Sequence, residues 1–299
     1  MDFITEAPPV RESATRPLYW SVRRELWENR SLTLAPLIVA AVVLFSWSAT
    51  TIRLARKVRA LAALDPNAQY AAAFKPFSLA ASVILFTGIL VGAFYCLDAL
   101  YGERRDRSIL FWKSLPVSDV TTVLSKALIP IVILPLFTIA VALTTQTIML
   151  LLGSVALLFH GVNPALLWTR VPLVQESVVM FYGVAAHALW YAPLYAWMLL
   201  LSAWAKRAVL LWVVLPSVAI NVVEKGVFGT SHFASLVKYR LIGALHEAFA
   251  VDALKKPVTG FSQLEIANFL TTPGLWAGLV FAAVCLAAAV RLRRNREPI

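Results

Sequence analysis

The chain has 299 residues, of which 60% are hydrophobic and only 14% are charged. A soluble domain carries roughly 25% charged residues, so this composition excludes a disordered chain and an ordinary soluble globular protein. The net charge of +11 favours contact with anionic lipid headgroups over contact with nucleic acid. The class that remains is an all-α membrane protein with several spans.

Six apolar runs are long enough, or nearly so, to cross a membrane, which takes about 20 residues of helix. They cover residues 32–52, 77–97, 127–150, 177–202, 208–223 and 273–290. The third run stays uncharged as far as Phe159, and we expect Pro130 and Pro135 to bend it and its last residues to lie at the membrane interface. We expect residues 1–16 to be a disordered cytosolic tail and residues 17–299 to be a single transmembrane domain.

The Lys and Arg residues predict an orientation for these spans, because loops that stay in the cytosol are enriched in them. With a cytosolic N-terminus, 16 of the 27 Lys and Arg residues fall on the cytosolic side. We therefore expect both termini and residues 98–126 in the cytosol and residues 224–272 outside. The first run is then an uncleaved anchor, since it has the full length of a span.

Residues 17–30, before the first span, have the pattern of an amphipathic helix. The apolar residues are Tyr19, Trp20, Val22, Leu26 and Trp27, and the charged residues expected on another face are Arg24, Glu25 and Glu28. Aromatic residues favour the headgroup layer, so we expect this helix to lie flat on the inner membrane surface. A role in contacting a partner is the open alternative.

Residues 98–126 join the second and third spans and are rich in charged and aromatic side chains. A charged cluster at 103–107 is followed by a short apolar element at 108–115, which Pro116 ends. Ser118 is a suitable N-cap for the next helix. The short helix is expected to expose apolar side chains that need lipid or a protein groove, namely Ile109, Leu110, Phe111 and Trp112. The alternative is an interfacial loop that its tryptophan anchors in the membrane.

The outer segment 224–272 is expected to contain two short helices. Apolar residues from His232 to Phe249 lie near helical spacing. The second helix is predicted by Ser262 and Glu265, whose types and spacing match a capping box.

Chemistry-bearing motifs are absent from the sequence. It contains no phosphate-binding loop and no metal-ligand spacing, so we expect the chain to bind no cofactor and to be no enzyme. The predicted spans contain no Asp, Glu, Lys or Arg, which disfavours a proton- or sodium-driven transporter and an intramembrane hydrolase. Energy for transport would then enter through residues 98–126.

Five polar residues of the spans need an interpretation of their own. His187, alone in the fourth span, is expected to be a hydrogen-bonded packing residue. The other four are candidates to line a pathway, namely Thr144, Thr145, Gln146 and Asn221. The alternative is that they bond to the backbone or to neighbouring helices.

The residues from 101 onward carry a resemblance. They read Tyr101-Gly102-Glu103-Arg104-x-Asp106-x-Ser108-Ile109-x-Phe111-x-x-Ser114-Leu115-Pro116-Val117-Ser118, with Lys126 at the start of the next helix. This pattern resembles the cytoplasmic loop of ABC-2 type transporter permeases. The segment before the first span resembles their N-terminal connecting helix, with Trp20, Arg23, Arg24, Glu25, Leu26 and Trp27. The short outer helices before residues 273–276 resemble the extracellular helices of the same family.

The resemblance implies the membrane-spanning permease subunit of an ATP-binding-cassette exporter in a bacterial inner membrane. Such subunits have six spans, form the translocation pathway as a homodimer or heterodimer, and are driven by two copies of a separate ATPase subunit that binds ATP and Mg. In this chain the element 108–115 would be the coupling helix that docks on the ATPase. The residues that couple to the ATPase would be Glu103, Arg104, Ser108, Ile109, Leu110, Phe111, Trp112, Leu115 and Pro116. Glu103 and Arg104 carry less weight, because exposed ion pairs contribute only about 0–1 kcal/mol. The alternative is that they hold the loop against the chain's own helices. The alternative is a non-transporting membrane scaffold or sensor subunit, and the sequence does not define the substrate.

Overall fold

A computed structural model describes residues 15–54, 56, 58, 66–114, 117–171, 173–249 and 261–295. Within these ranges every regular element is a helix, apart from one isolated antiparallel bridge between Phe249 and Leu264. The all-α prediction is confirmed for this part of the chain. The predicted tail lies outside the described residues up to position 14.

The first half of the chain begins with an amphipathic helix and two long helices. These are α1 Thr15–Glu28, α2 Ser31–Thr51 and α3 Pro66–Asp98. Two short helices follow, α4 Tyr101–Arg105 and α5 Ser108–Ser114. Then α6 Asp119–Leu128 runs through a π-helical turn, Ile129–Ile133, into α7 Leu134–Phe159.

The second half contains three further long helices and the short helices between them. These are α8 Ala165–Arg170, α9 Leu173–Trp204 and α10 Val209–Val223, which a second π-helical turn, Glu224–Phe228, prolongs. After α11 His232–Ala248 come a 3-10 turn Phe261–Gln263, α12 Ile266–Thr271 and α13 Pro273–Asn295.

Six helical stretches in the described part are long and apolar enough to cross a membrane. They are Ser31–Thr51, Ala73–Arg105, Asp119–Phe159, Leu167–Trp204, Val209–Phe228 and Pro273–Asn295. Number and order agree with the six predicted runs, which is the composition of a membrane protein. The fifth run is prolonged to Phe228 by its π-helical turn.

The helix of the third stretch extends beyond the predicted span 127–150. It continues without a break to Phe159, through the residues expected at the membrane interface. Pro130 lies in the π-helical turn and Pro135 in the first turn of α7. A proline removes one backbone donor and crowds the preceding turn, and the wider π-helical turn accommodates such a defect without ending the helix.

The long helices form a bundle in which α9 packs against α3, α10, α11 and α13. The most extensive contact between two helices is that of α9 with α13. A second group is formed by α2, α3 and α7, which pack against one another. Across this second group the indole N–H of Trp47 donates to the carbonyl of Met149 at 2.8 Å. At one end of the bundle the segments 29–30, 99–114 and 205–208 meet the end of α13. This end is called the basal end here, and the opposite end the far end.

The far end is covered by α11 and α12. The Trp190 indole donates to the carbonyl of Arg240 at 2.9 Å, and the Arg240 guanidinium donates to the carbonyl of Gly274 at 2.9 Å. A Cβ at Gly278 would lie 2.0 Å from the Arg240 guanidinium, so a larger residue there would displace this guanidinium from its present position. The helix predicted over 232–249 is confirmed as α11.

The predicted capping box at residues 262–265 is wrong. α12 begins at Ile266, after Glu265, whose side chain makes no capping hydrogen bond. Leu264 is held in the antiparallel bridge, and the Glu265 N–H donates to the carbonyl of Ala248 at 3.0 Å. This backbone pairing keeps the chain extended at the position where the capping box required a helix.

A buried ion network and an exposed apolar helix at the basal end

The Glu25 carboxylate is the centre of a buried charge cluster at the basal end. Glu25 is only 1% exposed. One oxygen accepts from the Lys126 ammonium at 2.8 Å and from the Arg24 guanidinium at 2.7 Å. The other oxygen accepts from the Tyr95 hydroxyl at 2.8 Å. Helix α1 is thereby fastened to the basal ends of α3 and of the third span.

Glu103 makes the second half of the cluster. Its first oxygen lies 3.1 Å from the Lys126 ammonium and 3.3 Å from the Arg24 guanidinium. Its second oxygen accepts from the Arg293 guanidinium at 3.1 Å. Arg293 also donates to Asp119, at the start of α6. We call the six residues the basal ion network: Arg24, Glu25, Glu103, Asp119, Lys126 and Arg293.

Charge in the basal ion network is balanced, with three carboxylates against three cations. Taking isolated charges out of water costs several kcal/mol per ion, so buried charges occur paired. Burial by itself would raise the pKa of the Glu25 carboxyl, but the adjacent Lys126 and Arg24 and the Tyr95 hydroxyl together hold that pKa below its ordinary value. Glu25 is therefore a buried carboxylate at neutral pH.

Helix α4 is fixed to the neighbouring span by a second set of bonds. The Arg104 guanidinium donates to the carbonyls of Ala203 and Ala205 at 2.6 and 3.1 Å. The hydroxyl of Ser202 accepts from the backbone N–H groups of Leu100 and Tyr101, at 3.1 and 2.9 Å. Glu103 and Arg104 are both buried, which favours the alternative that they hold the loop against the chain's own helices. Apart from Lys126, the partners of their side chains lie about 80 to 190 positions away in the chain, which no local pattern could indicate.

The side chains of α5 divide between the chain's own core and the outside. Ile109 is 2% exposed, whereas Leu110 is 58% and Phe111 60% exposed. The Trp112 ring is half-buried, with the Arg24 guanidinium 3.8 Å from its centroid. Of the four apolar residues predicted to face lipid or a partner, Leu110 and Phe111 form the outward face.

Three predicted coupling residues and the predicted N-cap Ser118 complete this segment. Ser108 donates to the carbonyl of Glu103 at 3.4 Å, which ties the start of α5 to α4. Ser118 caps α6 as predicted, accepting from the Thr121 N–H at 3.0 Å. Leu115 and Pro116 lie outside the described residues.

Helix α1 is amphipathic in a different way from its prediction. Trp20 and Trp27 are exposed, and the Arg23 guanidinium lies 5.2 and 4.7 Å from their ring centroids. Leu26 packs into the core. Glu25 was predicted on the polar face away from the core. Its side chain instead points into the bundle, because it forms hydrogen bonds there with Lys126 and Tyr95. A single helix read alone could not reveal this.

The four predicted pathway residues are not brought together. Thr144 is exposed, and Thr144 and Thr145 both bond to carbonyls of their own helix. Gln146 is fully buried and donates to the carbonyl of Phe77 at 3.2 Å and to Glu176 at 2.8 Å. Asn221 is on α10, and no described side-chain contact joins it to the other three.

Glu176 also limits the prediction that the spans carry no charge. It directly precedes the predicted fourth span, but helix α9 already begins at Leu173. Glu176 is therefore part of a stretch that is apolar enough to cross a membrane. Gln146 is its described hydrogen-bond partner.

No known protein-family model matches the chain, and no curated protein matches it. The sequence points to Glu103 and Lys126, but it does not show that Tyr95 bonds to Glu25 or that Arg293 joins Glu103 to Asp119. A usable signal was present, because Asp119 and Lys126 begin an otherwise apolar helix and Arg293 ends another. The features that support a function are thus the basal ion network and the outward face of α5.

Proposed function

We propose that this chain is the membrane subunit of an ATP-driven exporter and that α5 docks into a groove on a separate ATPase subunit. The observation that carries the proposal is the paired exposure of Leu110 and Phe111 on a helix that the rest of the chain holds firmly. Apolar side chains in water are unfavourable, and a helix laid in a groove is a recurring mode of recognition. The exposed aromatic ring is the type of side chain that dominates binding energy in such interfaces.

The contacts of α5 give the proposed docking a route into the spans. Trp112 lies under Arg24, and Ser108 bonds to the backbone of Glu103, so both ends of the exposed pair touch the basal ion network. That network joins α1 to the basal ends of the second, third and sixth spans. A displacement of α5 would therefore move several spans together, because closely paired buried charges hold the ends of these helices to one another.

In this proposal the chain itself contributes no nucleotide site. Two copies of the ATPase would bind ATP and Mg and hydrolyse the nucleotide, and two permease copies would form the pathway between them. Helix α10 supports an assembly of this kind, because Val209 is its one buried residue and most of its surface is left to lipid or to a second copy. The basal end would face the cytosol of a bacterial cell, with the far end outside.

Photocrosslinking from α5 in living cells tests the proposal. Phe111 is replaced by p-benzoylphenylalanine, the cells are irradiated, and the captured protein is identified by mass spectrometry. We expect a covalent complex with a protein that carries a phosphate-binding loop. The matched control is Phe261, which is also exposed but lies at the far end, and which should capture no such protein.

The nature of the captured protein separates the two candidate functions. Capture of a nucleotide-binding ATPase from position 111, and not from position 261, supports the exporter. Capture from position 111 of a partner without a nucleotide-binding loop would contradict the exporter and favour the scaffold or sensor subunit.

A further inference from the structure

A cavity of about 270 Å³ lies inside the bundle, away from the basal ion network. Its walls come from α3, from the π-helical turn and α7, and from α9, and we call it the α3–α7–α9 cavity. The ring of Phe249, after α11, contributes to the lining. Several lining residues, Val184 among them, are half-buried rather than buried, so the cavity is accessible from the outside of the bundle.

Two glycines shape this cavity. A Cβ at Gly88 would lie 2.5 Å from the Thr138 methyl carbon, so α3 and α7 touch directly at the cavity wall. A Cβ at Gly183 would lie 3.2 Å from the Phe249 ring, which therefore reaches over α9. The space between these contacts is not filled by any side chain of the lining, although protein interiors are normally close-packed.

One polar group stands out in a lining that is otherwise mostly apolar and carries no charged residue. The Nε2 atom of His187 is buried and has no hydrogen-bond partner among the described residues. The ring is held in place by stacking on Tyr191, with centroids 4.0 Å apart and planes inclined by 22°. The expectation that His187 is a hydrogen-bonded packing residue therefore fails at this nitrogen. A buried polar atom without a partner is uncommon and costs free energy.

We propose that the α3–α7–α9 cavity binds a small uncharged molecule with an aromatic ring and one hydroxyl group, that is, a phenol. A cavity of about 150 Å³ is enough to hold benzene, so this volume accommodates a ring with a substituent. A charged ligand would be disfavoured by the uncharged lining. A hydroxyl suits His187 in either tautomer, because it both donates and accepts while one imidazole nitrogen donates and the other accepts. This site is independent of the proposed docking of α5.

A photoreactive phenol tests the proposal directly. The probe is a phenol that carries a trifluoromethyl diazirine, and its partner is the same ring without the hydroxyl. The purified full chain in lipid nanodiscs is irradiated with each probe, and labelled positions are mapped by mass spectrometry. We expect label on α3, α7 and α9 beside the cavity, and competition by excess unlabelled phenol.

Variants of the same helix supply the controls. Val184→Trp fills the cavity and should lower labelling at least about tenfold, whereas Val178→Trp, at a position 47% exposed on the same helix, should leave it unchanged. His187→Phe keeps a ring of similar size. It should lower labelling by the phenol about tenfold, as expected for one lost buried hydrogen bond, and leave labelling by the hydroxyl-free probe unchanged.

Two outcomes would overturn the proposal. Equal labelling of Val184→Trp and of the parent chain would show that the probe reacts from the lipid and not from the cavity. An equal effect of His187→Phe on both probes would show that the hydroxyl is not recognised. Because His187→Phe hardly changes volume, it remains informative if Val184→Trp does not fold.

Discussion

Three neighbouring side chains of α5 have different surroundings, which makes them separable by mutation. Leu110 and Phe111 face outward and Ile109 faces the core. We expect the double change Leu110→Ala and Phe111→Ala to lower the affinity for the proposed ATPase about thirtyfold, since truncating an interface anchor costs about 2 kcal/mol. Thermal stability should stay within experimental error of the parent. The measurement is co-purification of the ATPase with each variant at equal expression.

Ile109→Ala is the matched control for that double change. Removing a fully buried aliphatic side chain costs about 2–5 kcal/mol of stability, so this variant should melt at a lower temperature with or without the partner. The docking assignment is contradicted if the double variant binds the ATPase as well as the parent does. It is equally contradicted if the double variant loses as much stability as Ile109→Ala.

The sequence alone could place an exposed apolar helix at 108–115 but could not rank its residues. Ile109, Phe111 and Trp112 have the same apolar character in the printed sequence. Their difference depends on α1, which supplies Arg24 over the Trp112 ring from more than 80 positions earlier in the chain. Tertiary contacts of this range carry no local signal, whereas the cap at Ser118 involves residues only three apart and was predictable.

One buried carboxylate, Glu25, makes the central polar attachment of helix α1 to the bundle. Glu25→Gln leaves Lys126 with Glu103 as its remaining carboxylate, so we expect a loss of roughly 3 kcal/mol, the low end of the range for breaking a buried ion pair. The pKa of Glu25 is lowered in the folded chain from an ordinary value of 4.5. Its contribution is therefore complete above that value and is lost as the pH falls below it. Thermal unfolding at a series of pH values measures both effects.

Glu28→Gln is the control on the same helix. Glu28 is paired with the same Arg24 at 3.5 Å, but its side chain is about half exposed. Exposed pairs contribute about 0–1 kcal/mol, so this variant should differ little from the parent at neutral pH. The attachment by Glu25 is refuted if both variants unfold alike, or if the gap between the parent and Glu25→Gln does not narrow in acid.

The helices themselves were largely predictable, and their irregular points were not. Long uncharged runs have no alternative in a membrane, because backbone groups must be satisfied within the helix. Whether Pro130 ends, bends or widens such a helix depends on what packs around it, and here a π-helical turn absorbs it. The capping box predicted at 262–265 is wrong for a similar reason, because no local sequence pattern indicates the bridge between Phe249 and Leu264.

The orientation of the whole bundle follows from its ends. The basal end carries the network and α5, and we expect it to face the cytosol. Lys206→Cys, exposed at the basal end, and Ser231→Cys, exposed at the far end, flank the single helix α10. In intact cells a membrane-impermeant maleimide should label position 231 only, and in permeabilised cells both positions.

The native thiols keep the background of that experiment low. Cys96 and Cys285 are free but buried. The parent chain should therefore remain unlabelled and serves as the blank. Labelling of position 206 in intact cells, with position 231 protected, would reverse the orientation and would remove the proposed ATPase site from the compartment where ATP is made.

The large sequence separation between residues of the basal ion network also sets an order for the assembly of the helices during synthesis. Glu103 and Arg293 are 190 positions apart, and Arg293 leaves the ribosome after the other five residues of the basal ion network. Until that helix is inserted, three carboxylates face only two cations, Arg24 and Lys126. Glu103 and Asp119 then lack the guanidinium that bridges them. The nascent chain consequently keeps an uncompensated negative charge at its basal end, and membrane insertion of α13 neutralises it and locks the earlier helices.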